Sequence, residues 1–129
     1  MRKMSIEFYR KGFNCSQSIL KAAEVTYNIK VPDQSFNMCK GIGSGFGAGN
    51  LCCALVGGVM VFGLMFDETV TKRMRIRLLD LFQQKYGSIQ CAVLIKRMRD
   101  DCEQVVGDVA DFTQKVIEEI NDESVNIYV

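Results

Sequence analysis

The chain has 129 residues, 48% of them hydrophobic and 24% charged, with a net charge of +1 and a single proline. That composition excludes a disordered chain and predicts one globular domain over residues 1–129, while the near-neutral charge gives no reason to expect a nucleic-acid partner. The absence of histidine removes the usual general base, the Cys–His and Ser–His–Asp pairings and the commonest metal ligand.

In chain order, Ser5 to Gly12 reads as a short helix closed by its glycine. Asn14 or Cys15 opens a second, in which Ile19, Ala23 and Tyr27 recur at helical spacing until Asn28 to Pro32 break it. Asp33 is the expected N-cap of a helix over Gln34 to Lys40. From Gly41 to Gly49 glycine stands at every second position, which is poor helix material and suits close backbone approach. Asn50 then caps an apolar run, Leu51 to Phe66, expected as a buried helix. Asp67 or Thr69 starts the strongest helix, ending at Gly87. Its inner stripe is Val70, Met74, Leu78, Leu81 and Phe82, with Lys72, Arg73, Arg75 and Arg77 largely outward. A shorter helix covers Ile89 to Arg97. The last runs from about Asp101 to Asn121, with Cys102, Val105, Val106, Val109, Phe112, Val116, Ile117 and Ile120 on one face. No segment alternates as a strand does. The expected fold class is all-α, a compact bundle of five or six helices around a central buried one.

Several segments imitate functional motifs. Residues 41–66 carry no charge and are long enough to span a bilayer, but the first third is glycine-dense, so a core helix without a membrane span is the expectation. Gly43-Ser44-Gly45-Phe46-Gly47-Ala48 fits a loose GxGxxA fingerprint, yet Phe36 to Lys40 before it is no strand and no βαβ unit surrounds it. The basic runs Lys72 to Arg77 and Lys96 to Arg99 are explained as solvated helix faces, the second balanced by Asp100 and Asp101.

The six cysteines carry more information. An even number raises a secreted, disulfide-stapled domain, but the charges of Arg2, Lys3, Glu7, Arg10 and Lys11 interrupt any signal-peptide core, so free or metal-bound thiols in the cytoplasm are expected. Cys39 reads as a small buried hydrophobe. Cys15, Cys52, Cys53, Cys91 and Cys102 stand near helix starts or on apolar faces, where the helix dipole favours thiolate. No CxxC or CxxCH occurs, which removes a thioredoxin-type site, a zinc knuckle and ordinary covalent haem attachment.

Together these segments resemble the family named for a C–GCAxxG–C–C cysteine pattern, whose members are described as redox-active. Gly12 to Leu20 resembles its first cysteine segment and Gly45 to Gly49 its glycine stretch. Cys52-Cys53-Ala54-Leu55-Val56-Gly57 resembles the central motif, Phe82 to Cys91 the third segment, and Cys102 with Val105 and Val106 the fourth. Written Cys-Gly-Ala-x-x-Gly, the central motif assigns Cys52 and puts Cys53 where glycine stands. Written Gly-Cys-Ala-x-x-Gly, it assigns Cys53. The first assignment is preferred here, with Cys53 as its substitute. The resemblance implies that Cys15, Cys52, Cys91 and Cys102 act as redox thiols or, with Cys53, as metal ligands. By analogy with a similar cysteine domain beside haem in bacterial cytochromes, the metal form would be an iron–sulfur cluster or another thiophilic ion. The metal-free form would cycle between dithiol and disulfide.

These four cysteines are expected to meet in one site, with Cys39 outside it. The alternatives are a non-catalytic, transport-associated metal-binding or sensor protein, and a structural bundle with inert thiols. A redox or transporter-associated partner protein and a homodimer are compatible with all of these; whether the protein is an enzyme stays open.

Overall fold

The computed structural model describes residues 1–98 and 101–128. Among them are seven α-helices, one five-residue π-turn at Gly45–Gly49, and a single isolated antiparallel bridge between Leu51 and Gln90. The helices are α1 (Arg2–Arg10), α2 (Cys15–Tyr27), α3 (Asp33–Met38), α4 (Cys53–Met65), α5 (Glu68–Tyr86), α6 (Cys91–Met98) and α7 (Cys102–Tyr128). The fold is all-helical as expected. Seven helices stand where a bundle of five or six was expected, the shortest being α3 and α6 at six and eight residues. Neither is long enough to persist alone in water; packing and loop hydrogen bonds hold them.

Local chemistry explains most boundaries. Asn14 caps α2 with a full capping box: its side chain accepts from the Gln17 N–H at 2.9 Å, and its own N–H donates to Gln17 Oε1 at 3.0 Å. Asn28 ends that helix in the left-handed conformation. Asp67 caps α5 by accepting from the Val70 N–H at 2.9 Å, and Gly87 closes it at φ +73°. Two expected caps are corrected. Pro32 occupies the position ahead of α3, and Asp33 is already its first helical residue. Asn50 does not cap the apolar helix either. The Cys52 N–H donates to the Ile89 carbonyl at 2.9 Å and the Cys91 N–H to the Asn50 carbonyl at 2.6 Å. That exchange holds residues 50–52 extended, so α4 begins two residues later than the apolar run. The glycines ahead of it serve a tight left-handed turn, in which Ser44, Gly45, Phe46, Gly47 and Gly49 all have positive φ. At the ends, α1 begins at Arg2 rather than Ser5 and α7 continues to Tyr128 rather than stopping at Asn121.

α4 packs against α2, α5 and α7, and α1 lies across α2 and α7. Phe62, Leu55 and Val61 of α4 join Ile19, Leu20, Met74, Leu78, Phe82, Val106, Val109 and Ile117 in the core, each such side chain contributing roughly 1.5–3 kcal/mol by leaving water. Two adjacent glycines allow the close approach on both sides of α4. A Cβ on Gly57 would lie 2.8 Å from Ser16 Cα of α2; one on Gly58 would lie 2.8 Å from Thr113 Oγ1 and 2.9 Å from Leu78 Cδ2. Among the described residues no helix is long and apolar enough to cross a membrane. Lys72, Arg73 and Arg75 are exposed as expected, while the charge balance assigned to Arg99 and Asp100 lies outside the described residues.

One polar cluster was not visible in the helical pattern. Asp108, 4% exposed, accepts from Arg2 Nη1 at 2.7 Å, from Lys85 Nζ at 2.8 Å and from the Tyr86 hydroxyl. It thereby ties α1 and α5 to α7. Burial raises the Asp108 pKa, but its hydrogen bonds to Lys85, Tyr86 and Arg2 outweigh that and hold it below the ordinary carboxylate value. Its stabilising effect is therefore complete above that ordinary value and lost as pH falls through the lower folded-state value. Asp108→Asn removes the charge that two partly exposed cations share, and is expected to cost about 2 kcal/mol in chemical denaturation at pH 7. A loss below about 0.5 kcal/mol would show that the cluster is only a surface feature.

Candidate functional site

Four helix starts converge on one cavity of about 440 Å³. Cys15, Cys53, Cys91 and Cys102 are the first residues of α2, α4, α6 and α7, and Cys52 is the residue just ahead of α4. All five line the cavity, together with Tyr9, Phe13, Asn14, Ser44, Leu94, Ile95, Asp101 and Val105. The structure thus brings together every cysteine expected at the site. Cys39 is left out; it is buried and its thiol donates to the Ser35 carbonyl one turn back, at 3.2 Å. No disulfide joins any of the six cysteines.

The sulfur held most closely belongs to Cys53, not Cys52. Its Sγ accepts from the Ser16 N–H at 3.3 Å, lies 3.1 Å from Ser16 Oγ and reaches Asn14 Oδ1 at 3.8 Å, with the Cys15 side chain and N–H as further neighbours. The Ser16 hydroxyl also donates to the Cys53 carbonyl. This places a sulfur at the positive end of α2, where anions are stabilised. The hydrogen bond from Cys15, followed by those from Ser16, overcomes burial and lowers the Cys53 pKa to about 6. The Cys15 thiol is correspondingly raised, first by that same hydrogen bond and then by burial. Of the two sulfurs, Cys53 is the one whose ionised form these contacts favour.

Cys52 and Cys91 favour the protonated form. Burial pushes Cys52 up to about 11, although the N–H groups of Leu55 and Ala54 partly offset it. Burial also raises Cys91. Tyr9, pushed up to about 12 by burial and by its Cys15 and Cys102 neighbours, hydrogen-bonds the Cys102 side chain. Among the described residues no group of three or more Cys, Asp or Glu side chains is gathered closely enough to hold a metal ion.

The central motif now has a physical reading. Cys53 and Gly57 are one helical turn apart on the face that α4 presents to α2, and Ala54 between them is fully buried. Gly57 lets α2 approach at Ser16, and that approach carries the Ser16 N–H onto the Cys53 sulfur. The spacing Cys-Ala-x-x-Gly is what this contact requires. A family model described as "Putative redox-active protein (C_GCAxxG_C_C)" matches residues 13–116. The chain belongs to this family. No curated protein and no solved structure is detectably similar to it. In the family's own pattern, Gly-Cys-Ala-x-x-Gly, the motif cysteine is Cys53 and Cys52 stands in place of glycine.

Residue-by-residue reading missed Ser16 and Tyr9. The Asn14…Gln17 spacing marked the start of α2, but no local signal ties a serine there to a sulfur 37 positions away. Tyr9 lies ahead of the family match and reaches the site only because α1 folds back along α2.

Proposed function

We propose that this family member is a thiol–disulfide redox protein in which Cys53 attacks and Cys15 resolves. The observation that carries this is the Cys53 sulfur accepting from the Ser16 N–H at the start of α2, with Cys15, the first residue of that helix, lining the same cavity. A thiolate at pH 7 with a second thiol in hydrogen-bond contact is what disulfide exchange needs. The Cys53 thiolate attacks one sulfur of a substrate disulfide, forming a mixed disulfide and releasing the first thiolate. That thiolate takes the Cys15 proton, and Cys15 attacks Cys53 Sγ, closing a Cys15–Cys53 disulfide and releasing the second thiolate. The substrate disulfide gains two electrons and the protein dithiol loses them. Cys52 serves as the cap of α4, supporting its neighbour. Cys91 and Cys102 face the same cavity as further thiols within reach of exchange. Such a dithiol belongs in a reducing compartment, which favours the cytoplasm.

Equilibration with mixtures of reduced and oxidised dithiothreitol, acid trapping and peptide mass spectrometry test this. The expected result is a two-electron couple whose oxidised form carries a Cys15–Cys53 disulfide, lost in Cys53→Ser and kept in Cys39→Ser. A protein that forms no internal disulfide, or forms it between other cysteines, contradicts the assignment. The second reading, a thiolate–metal centre in a redox, sensor or transport-associated protein, draws on five thiols facing one cavity. Its mark is stoichiometric metal or acid-labile sulfide after anaerobic purification.

A further inference from the structure

We infer that the substrate is a small disulfide carrying no negative charge; this rests on the redox reading above. Cys53 is only 2% exposed and Cys52 5%, so a reagent reaches the Cys53 sulfur by entering the cavity rather than by grazing the surface. At about 440 Å³ the cavity has the size of a small-molecule site. Its walls are apolar, from Phe13, Leu94, Ile95 and Val105, and among the described residues its lining contains no lysine or arginine. Among the described residues the one acidic side chain at the wall is Asp101, which also caps α7 by accepting from the Gln104 N–H at 3.2 Å. Four N–H groups at the converging helix starts are taken by the protein's own acceptors: Ser16 by Cys53, Gln17 by Asn14, Cys91 by the Asn50 carbonyl and Gln104 by Asp101. An anionic disulfide would therefore meet an acidic side chain and a sulfur whose anionic form is favoured, and lose its own hydration with no cation among the described lining residues in return. A neutral or cationic one meets no such barrier.

The test is a charge series under anaerobic conditions, following modification of Cys53 by mass spectrometry. The reagents are cystamine, 2-hydroxyethyl disulfide and 3,3′-dithiodipropionate, cationic, neutral and anionic in turn. Each rate is divided by that of an unstructured cysteine peptide with the same reagent. The anionic reagent is expected to be slower than the neutral one by about tenfold or more on this scale. Asp101→Asn, which keeps an N-cap side chain, is expected to narrow the gap. If Cys53 reacts but the anionic reagent is equally fast or faster, the charge inference fails and the redox pair stands. If Cys53 reacts with none of the three faster than the peptide, both fall.

Discussion

Replacing Cys15 by alanine is expected to raise the titration midpoint of Cys53 from about 6 toward the ordinary thiol range and to cut its thiolate fraction at pH 6 by about tenfold. The Cys15 hydrogen bond is the largest single influence holding Cys53 ionised, ahead of both contacts from Ser16. Serine at position 15 keeps a donor but not a sulfur. Cys15→Ser is therefore expected to preserve much of the low midpoint while abolishing the internal disulfide. Ultraviolet absorbance of the thiolate, followed against pH in the two variants, separates electrostatic support from redox partnership. Equal midpoints in Cys15→Ala and the unaltered protein would show that Cys15 does not hold the thiolate.

A methyl group at Gly57 is expected to act on both stability and chemistry. Alanine in place of a helical glycine gains about 1 kcal/mol in propensity, whereas overpacking costs about 1–3 kcal/mol. Here the obstacle is backbone: the new Cβ would sit 2.8 Å from Ser16 Cα and 2.9 Å from its carbonyl oxygen. A helix must move as a unit, so the steric cost wins. Gly57→Ala should lose about 2 kcal/mol, or roughly 8 °C in Tm for a chain of this size. Because α2 carries the Ser16 N–H away with it, the Cys53 midpoint should also rise. Gly58→Ala is the control. Its Cβ meets side-chain atoms of Thr113 and Leu78, Leu78 has a rotatable end, and neither residue touches the site. A loss under about 1 kcal/mol and an unmoved Cys53 midpoint are expected. Identical behaviour of the two variants would contradict the role assigned to Gly57.

Much of this architecture was legible because it is local. Asn14, Asp67 and Gly87 mark helix ends through side chains and dihedrals that act within a few residues. The inward stripe from Met74 to Phe82 follows from a 3.6-residue period. The gathering of five cysteines was foreseeable from their places at helix starts. What stayed hidden depends on contacts between distant segments. The Leu51–Gln90 bridge consumes backbone groups 39 positions apart and displaces the start of α4 to Cys53. Cys52 and Cys53 are adjacent and chemically identical, so only the direction of α4 decides which sulfur α2 receives. Nothing local marks Asp108 for burial, because Arg2 and Lys85, which pair with it, lie far away in the chain.

The central claim, that Cys53 is a stabilised thiolate paired with Cys15, is tested most directly by resolving the alkylation rate of each cysteine against pH. At pH 6 about half of Cys53 should be ionised, against roughly 0.3% for a thiol of ordinary pKa. The weaker nucleophilicity of a low-pKa thiolate offsets about tenfold of that gain. A small neutral iodoacetamide should thus label Cys53 about tenfold faster than an ordinary thiol at pH 6. Its rate should fall tenfold per pH unit well below the midpoint and level off above it, while Cys52 and Cys91 stay unreactive until far higher pH. A Cys53 profile with its midpoint at 8 or above, or a first-titrating sulfur at Cys52, would contradict the account.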